Sequence, residues 1–134
     1  MLGEVTIALK AFVIRDSTDR SNKDLAYLFY DETVRQFRIE LPEDADPWET
    51  PLLLSSFVKR GEFSVDPHWS LLWVQQRIVP VDRQNIAQIL RDNGLKEYDE
   101  FSLLALASGK CAQDDYYLTE TTEEQLPDNI LHRF

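Results

Sequence analysis

Paired carboxylates, one thiol, two imidazoles and a set of indoles are the groups in this chain with chemical reach, and most of them fall in its second half. Asp114 and Asp115, followed by Glu120, Glu123 and Glu124, bring hard oxygen ligands and proton-transfer groups close together. Such a set could hold a hard cation, or divide into a general acid and a general base if the surroundings pushed two pKa values apart. The spacing is not that of a calcium loop, which alternates acids around a central Gly. Asp114 is better suited to capping a turn by accepting local backbone N–H groups. His68 and His132 stand in no ligand or nucleophile motif, and Cys111 beside Lys110 reads as a small buried residue. The glycines Gly3, Gly61, Gly94 and Gly109 are scattered, so there is no loop to cradle a phosphate. The residue types therefore give no catalytic set, no metal site and no cofactor site, with an uncharacterised enzyme acting through Asp114 and Asp115 as the least favoured alternative.

Aromatic area is a different kind of signal. Trp48, Trp69 and Trp73 stand with Phe57 and Phe63 in the middle of the chain. Trp69 and Trp73 are four apart, so on a helix they share a face and form one ridge. Core packing is the ordinary use of such a ridge, and partner binding is the other, since Trp and Tyr dominate interface hot spots.

The elements that must position these groups have legible signals. Residues 5–14 are rich in β-branched and apolar side chains, with Val5, Ile7, Leu9, Ala11 and Val13 on one side, and residues 25–30 and 36–41 repeat the strand composition. Short links between them predict a three-stranded antiparallel meander. Asp46-Pro47 and Asp66-Pro67 each supply an N-cap and a first-turn proline, predicting helices over about 47–59 and 67–79, although Pro51 interrupts the first. A third helix starts at about 81 or 82, with Ile86, Ile89 and Leu90 as its buried stripe, and ends in a Schellman turn at Gly94 with Leu95 beyond it. Asp99 caps a fourth over 100–108, where Tyr98 can staple onto Leu103, Ala107 can face the core and Gly109 closes the end. The last two helices are expected to pack on each other. Residues 116–118 suit a short strand, and the remainder a weakly amphipathic tail with Leu126, Ile130 and Leu131.

Charge narrows the partners. The 134 residues carry 24 acids and 14 Lys or Arg, for a net charge of −10. From residue 92 onward ten acids face only Lys96, Lys110 and Arg133. A surface of that sign repels phosphate, so direct nucleic-acid binding and anionic membranes are excluded and a basic protein surface is favoured. The same reasoning rejects a helix-turn-helix over residues 82–108, whose second helix carries Glu100 and no cation before Lys110. With one cysteine no internal disulfide can form, no apolar run reaches the length of a membrane helix, and the N-terminus has no secretory pattern, so a cytoplasmic location is expected.

The order LAYLFYDETVRQFRIELP, a helix, VPVDRQNIAQILRDNGL and YDEFSLLALASGKCA resembles the N-terminal subdomain of HipA-like persistence kinases. The matching positions are Phe29, Tyr30 and Asp31, Leu41 and Pro42, Pro80, Ile86, Leu90, Asp99 through Leu104, Gly109, Cys111 and Ala112. Some members of that family carry this subdomain as a separate antitoxin, so the resemblance implies a regulatory module without activity. Where the family continues with small residues this chain has Gln113, Asp114, Asp115, Tyr116 and Tyr117, and no kinase core is present.

Together these readings predict a single α+β domain: a meander over 1–41, about four helices over 47–109, and an acidic corner with a loosely docked tail over 110–134. Its expected role is that of a non-catalytic protein-interaction or regulatory module, antitoxin-like if the resemblance holds. The alternative is an acidic inhibitor from a phage or mobile element that mimics nucleic acid. The candidate contact residues are Asp114, Asp115, Tyr116, Tyr117, Trp69 and Trp73; the expected partner is another protein with a basic surface, or a second copy of this chain in a homodimer.

Overall fold

Residues 9–133 are described by a computed structural model as a five-stranded antiparallel sheet, covered by helices on one face and by a short C-terminal segment on the other. Strands β1 (Leu9–Asp16), β2 (Ala26–Asp31) and β3 (Gln36–Glu40) form the meander. Two more strands join it, β4 (Ser64–Val65) beside β3 and β5 (Tyr116–Thr121) beside β1, in the order β4-β3-β2-β1-β5. Three strands thus become five. β4 is too short for any periodicity to announce it, and β5 extends to Thr121 because β1 offers it a full edge, from Asp16 opposite Tyr116 to Ala11 opposite Thr121. Val5 and Ile7 lie outside the described residues.

Both faces of the sheet are covered, which accounts for a run of consecutive buried residues at Ala26, Tyr27, Leu28, Phe29 and Tyr30 where a half-exposed strand would alternate. Phe12, Ile14, Leu28, Ile39 and Leu118 point toward α1 (Leu52–Lys59), α2 (Pro67–Gln75) and α4 (Glu100–Leu106), meeting Leu54, Phe57, Trp73 and Leu104 in the main core. The main core therefore uses the Phe12 side of β1. Val13, Tyr27 and Phe29 point the other way, against Leu126 and Ile130 of the segment that ends in α5 (Asp128–Leu131). That segment is a docked third layer, not a loose tail. Arg133 fixes its end, donating to the carbonyls of Leu41 at 2.8 Å and Phe63 at 3.1 Å, and its guanidinium approaches the fully buried Glu40 carboxylate at 3.9 Å. Glu40 Oε1 also accepts from Ser64 Oγ at 2.7 Å and from Arg38 at 3.2 Å, which is how a charge comes to lie inside this layer.

Five α-helices are present among the described residues, and their ends follow local chemistry. At α2, Asp66 accepts from the Trp69 N–H at 2.8 Å with Pro67 in the first turn. The helix stops at Gln75, short of the expected residue 79, where Arg77 turns inward. Ahead of α1 the Asp46 carbonyl accepts from Glu49 and Thr50 in a single closed turn, and Pro51, which lacks an N–H and disfavours helical geometry before it, delays the regular helix to Leu52. α3 (Ile86–Asp92) also starts late, after turns at Arg83 and Ile86, and ends in the Schellman geometry, with Leu95 N–H on the Leu90 carbonyl and Gly94 at φ +71°. Its stripe of Ile86, Ile89 and Leu90 is only half covered, because α4 makes its helix contacts with α2. The expected pairing of α3 with α4 is replaced by a tether, the Tyr98 hydroxyl donating to the Val79 carbonyl at 2.7 Å. Phe101 of α4 stacks on Tyr30 at 4.5 Å, while Ala107 is exposed.

One hydroxyl shapes the sheet edge. Ser70 of α2, fully buried, accepts from the Ile39 N–H at 2.9 Å and donates to the Val65 carbonyl at 3.1 Å. Ile39 and Val65 are register partners, so the hydroxyl stands between two peptide groups that a longer ladder would join directly.

At the end of α4 the left-handed position belongs to Ser108, at φ +53°, with Gly109 following at φ +69°. Gly109 is required by a close approach: a Cβ there would lie 2.5 Å from Leu118 Cγ, whereas one at Gly61, φ +73°, would meet nothing within 4 Å. Gly61→Ala should cost about 1 kcal/mol from backbone strain alone. Gly109→Ala adds overpacking against β5 and should cost about 3 kcal/mol in urea denaturation. Equal losses for the two variants would show that β5 is not held against the α4 turn as described.

Candidate functional site

The end of α2 carries a residue that the sequence reading passed over. Arg77 has only 1% of its side chain exposed. A buried guanidinium needs its charge and its five donors satisfied, and the fold does this from four directions. Its Nη1 donates to Asp114 Oδ2 at 3.0 Å and its Nη2 to Asp114 Oδ1, a bidentate pair; Nε donates to the Gly109 carbonyl; Nη2 also reaches the Tyr116 carbonyl at 3.2 Å. The guanidinium lies 4.4 Å from the centre of the buried Trp73 ring, adding a cation–π contact.

This arrangement gives CAQDDYYL its shape. Asp114 Oδ1 also accepts from the Tyr116 N–H at 3.0 Å, the local turn bond expected of it, so one carboxylate closes the turn and neutralises Arg77. Burial works to raise the Asp114 pKa, but hydrogen bonds from Arg77, the Tyr116 N–H and the Cys111 thiol, with the Arg77 charge, outweigh it and hold the carboxyl below its ordinary value. Burial pushes the Tyr116 phenol up, helped by Asp16, Asp114 and Asp115 against the opposing Arg77, so its hydroxyl stays protonated.

Beside this corner lies a groove of about 560 Å³ between the start of α1, the exposed flank of α2 and the first residue of β5. Four of the six residues expected to bind a partner, Trp69, Trp73, Asp114 and Tyr116, line it together, although 41 positions or more separate the two pairs. Their roles differ. Trp73 is 1% exposed and forms the floor. Trp69 is 39% exposed at the rim, edge-on to Phe57 at 6.1 Å and to His68 at 5.8 Å, so the ridge expected from the pair divides into one core ring and one surface ring. Asp114 is bound up by Arg77, which leaves it unsuited to proton transfer. Asp115 is exposed at the turn, where its carbonyl accepts from the Ser17 N–H at 2.9 Å, and Tyr117 is half-buried opposite Arg15; neither lines the groove.

The rim, and the turn before α1, hold residues that were not among the expected contacts. Leu52, the first residue of α1, is 88% exposed, and Gln76 and Gln113 set amide groups on the opposite walls. Trp48, in the turn before α1, is 90% exposed, with the Lys59 ammonium 5.8 Å from its ring centre. The one available signal was local: Leu52 follows Pro51 directly, and a first-turn side chain has no preceding turn to cover it. A cleft of about 580 Å³ opens at the β3–β4 edge, but its charged groups are already engaged: Arg38 with Glu40, Asp31 with the Thr33 N–H, and Asp66 with the Trp69 N–H.

Asp114→Ala leaves the Arg77 cation buried without its partner. Because the Asp114 side chain is 30% exposed and water can enter beside it, the loss should fall at the low end for a broken buried pair, about 3 kcal/mol in urea denaturation near neutral pH. A carboxyl whose pKa is lowered on folding contributes stability above its unfolded value, and that contribution disappears as pH falls through the folded value. The gap between the native chain and Asp114→Ala should therefore narrow below about pH 3.8, the ordinary value of the group. A gap that stays constant with pH would mean that the charge of Asp114 is not what holds the corner. Compared with protein-family models, with curated proteins and with solved structures, the chain matches none.

Proposed function

We propose that the chain is a non-catalytic protein-interaction module whose partner docks in the groove between α1, α2 and the Asp114–Tyr116 corner. The observation that carries this reading is Leu52, almost fully exposed at the mouth of a groove with Trp69 beside it and the Trp73 ring as its floor. Covering a leucine of that exposure contributes about 2 kcal/mol, a gain the isolated chain leaves unused. Apolar and aromatic anchors at a depression, accompanied by the polar lining residues Ser56, Gln76 and Gln113, have the anatomy of an interface core with a polar rim. The rigid Arg77–Asp114 pair behind them fixes one wall, so docking would not have to order it. The regulatory, antitoxin-like role implied by the likeness to the kinase subdomain belongs to the same class, a chain that acts by occupying another protein's surface.

Photo-crosslinking tests this directly. A photoreactive residue placed at Leu52 or at Gln113, in cells of the native host, should give one common crosslinked product, lost when Trp69→Ala is added. The same residue at Val34, an exposed apolar position in the β2–β3 turn, should not give that product. A product formed equally from Val34, or one indifferent to Trp69→Ala, would remove the groove from the function.

A further inference from the structure

We infer that the segment entering this groove pairs an apolar or aromatic side chain with a cation, the cation lying at the β5 end. The inference rests on the groove being the docking site and adds the chemistry of what it takes. Register places Asp16 of β1 opposite Tyr116, and the Ser17 N–H donates to the Asp115 carbonyl, so the end of β1 and the turn before β5 are bound together at this end of the groove. Three carboxylates, Asp16, Asp114 and Asp115, act on the Tyr116 phenol, with Arg77 as the opposing cation. That cation is not available to the other two acids. It is buried and its fork is committed to Asp114.

Asp16 uses Oδ1 for the Thr18 N–H and hydroxyl, and among the described residues neither Asp16 nor Asp115 has an ion-pair partner. The lining itself contains no Lys or Arg. A groove with apolar anchors and a mixed lining thus has, beside its Tyr116 end, two carboxylates without ion-pair partners, on a chain whose net charge is −10. A neutral apolar segment would leave those charges unanswered, and an acidic one would be repelled by them. A segment carrying Lys or Arg a short distance from its apolar anchor satisfies both ends, with the anchor against Trp69, Trp73 and Leu53 and the cation beside Asp16 and Asp115.

Two indole probes of opposite charge separate the possibilities: tryptamine and indole-3-acetate, titrated at millimolar concentration into the isotopically labelled full chain and followed by NMR. Tryptamine should shift the resonances of Leu52, Trp69 and Tyr116 and bind several-fold more tightly than indole-3-acetate, and the preference should shrink as salt is raised. The double substitution Asp16→Asn and Asp115→Asn keeps the acceptor that closes the Thr18 turn, and it should bring the two probes to equal affinity without altering the fold. Equal binding of both probes to the native chain would overturn the cation preference and leave the groove as the docking site. Shifts confined to another cleft, or none from either probe, would overturn the inference from the side of its apolar anchor, while the photo-crosslinking product judges the docking site independently.

Discussion

A positive charge cannot lie inside a protein of this size unless the surrounding chain is built to receive it, and Arg77 is received by residues that the sequence scatters. Its guanidinium joins the end of α2 to Asp114, to the Gly109 carbonyl at the end of α4 and to the Tyr116 carbonyl at the start of β5. Each link is a charge-assisted hydrogen bond to a buried guanidinium, and the loss of such a bond is costly. This fork fixes the path of the connection from α4 to β5, together with the close approach of Gly109 to Leu118. Arg suits the position and Lys would not. A planar fork grips a carboxylate with two parallel bonds while its face stays on the Trp73 ring, and a single ammonium can do neither.

The sheet makes a second demand, since its central strands are buried on both sides. The helices answer it on the Phe12 and Leu28 side, and the C-terminal segment answers it on the Val13 and Phe29 side. The second answer is small: a few apolar side chains and one arginine. Arg133 caps two backbone carbonyls at the β3–β4 edge, which puts the end of the chain across the strands whose other face carries the main core. The groove lies on the helical side, so its walls come from elements held by the larger core.

Much of this was legible where the determining interaction is local. The Asp66-Pro67 start of α2, the Asp99 cap of α4 and the Schellman turn at Gly94 form as their residues dictate, because each needs only neighbours within five positions. The turn role of Asp114 was legible for the same reason. Its larger role was not, since nothing near position 114 announces an arginine 37 residues earlier that needs a carboxylate. Gly109 looked like a helix stop and proved to be a point of contact with Leu118, where the turn itself is made by Ser108. Trp69 and Trp73 were rightly placed on one helix, but spacing cannot say which ring the core takes and which the rim keeps. β4 was invisible at two residues, and the C-terminal segment read as a tail because its few apolar residues gain their meaning from a sheet face formed far upstream.

The Ser70 hydroxyl between Ile39 and Val65 has a consequence for how the molecule behaves among its own copies. An open row of peptide groups at a sheet border invites a neighbouring chain to continue the ladder, which is the usual beginning of edge-to-edge aggregation. Here one border is a strand of two residues whose pairing with β3 is bridged at Ile39 and Val65 by a side-chain hydroxyl, and at the other border the Leu118 N–H is already taken by the Ser108 carbonyl at 2.8 Å. A serine hydroxyl at one side of the sheet and a serine carbonyl at the other thus each occupy a ladder position, removing one site at which a neighbouring chain could extend it.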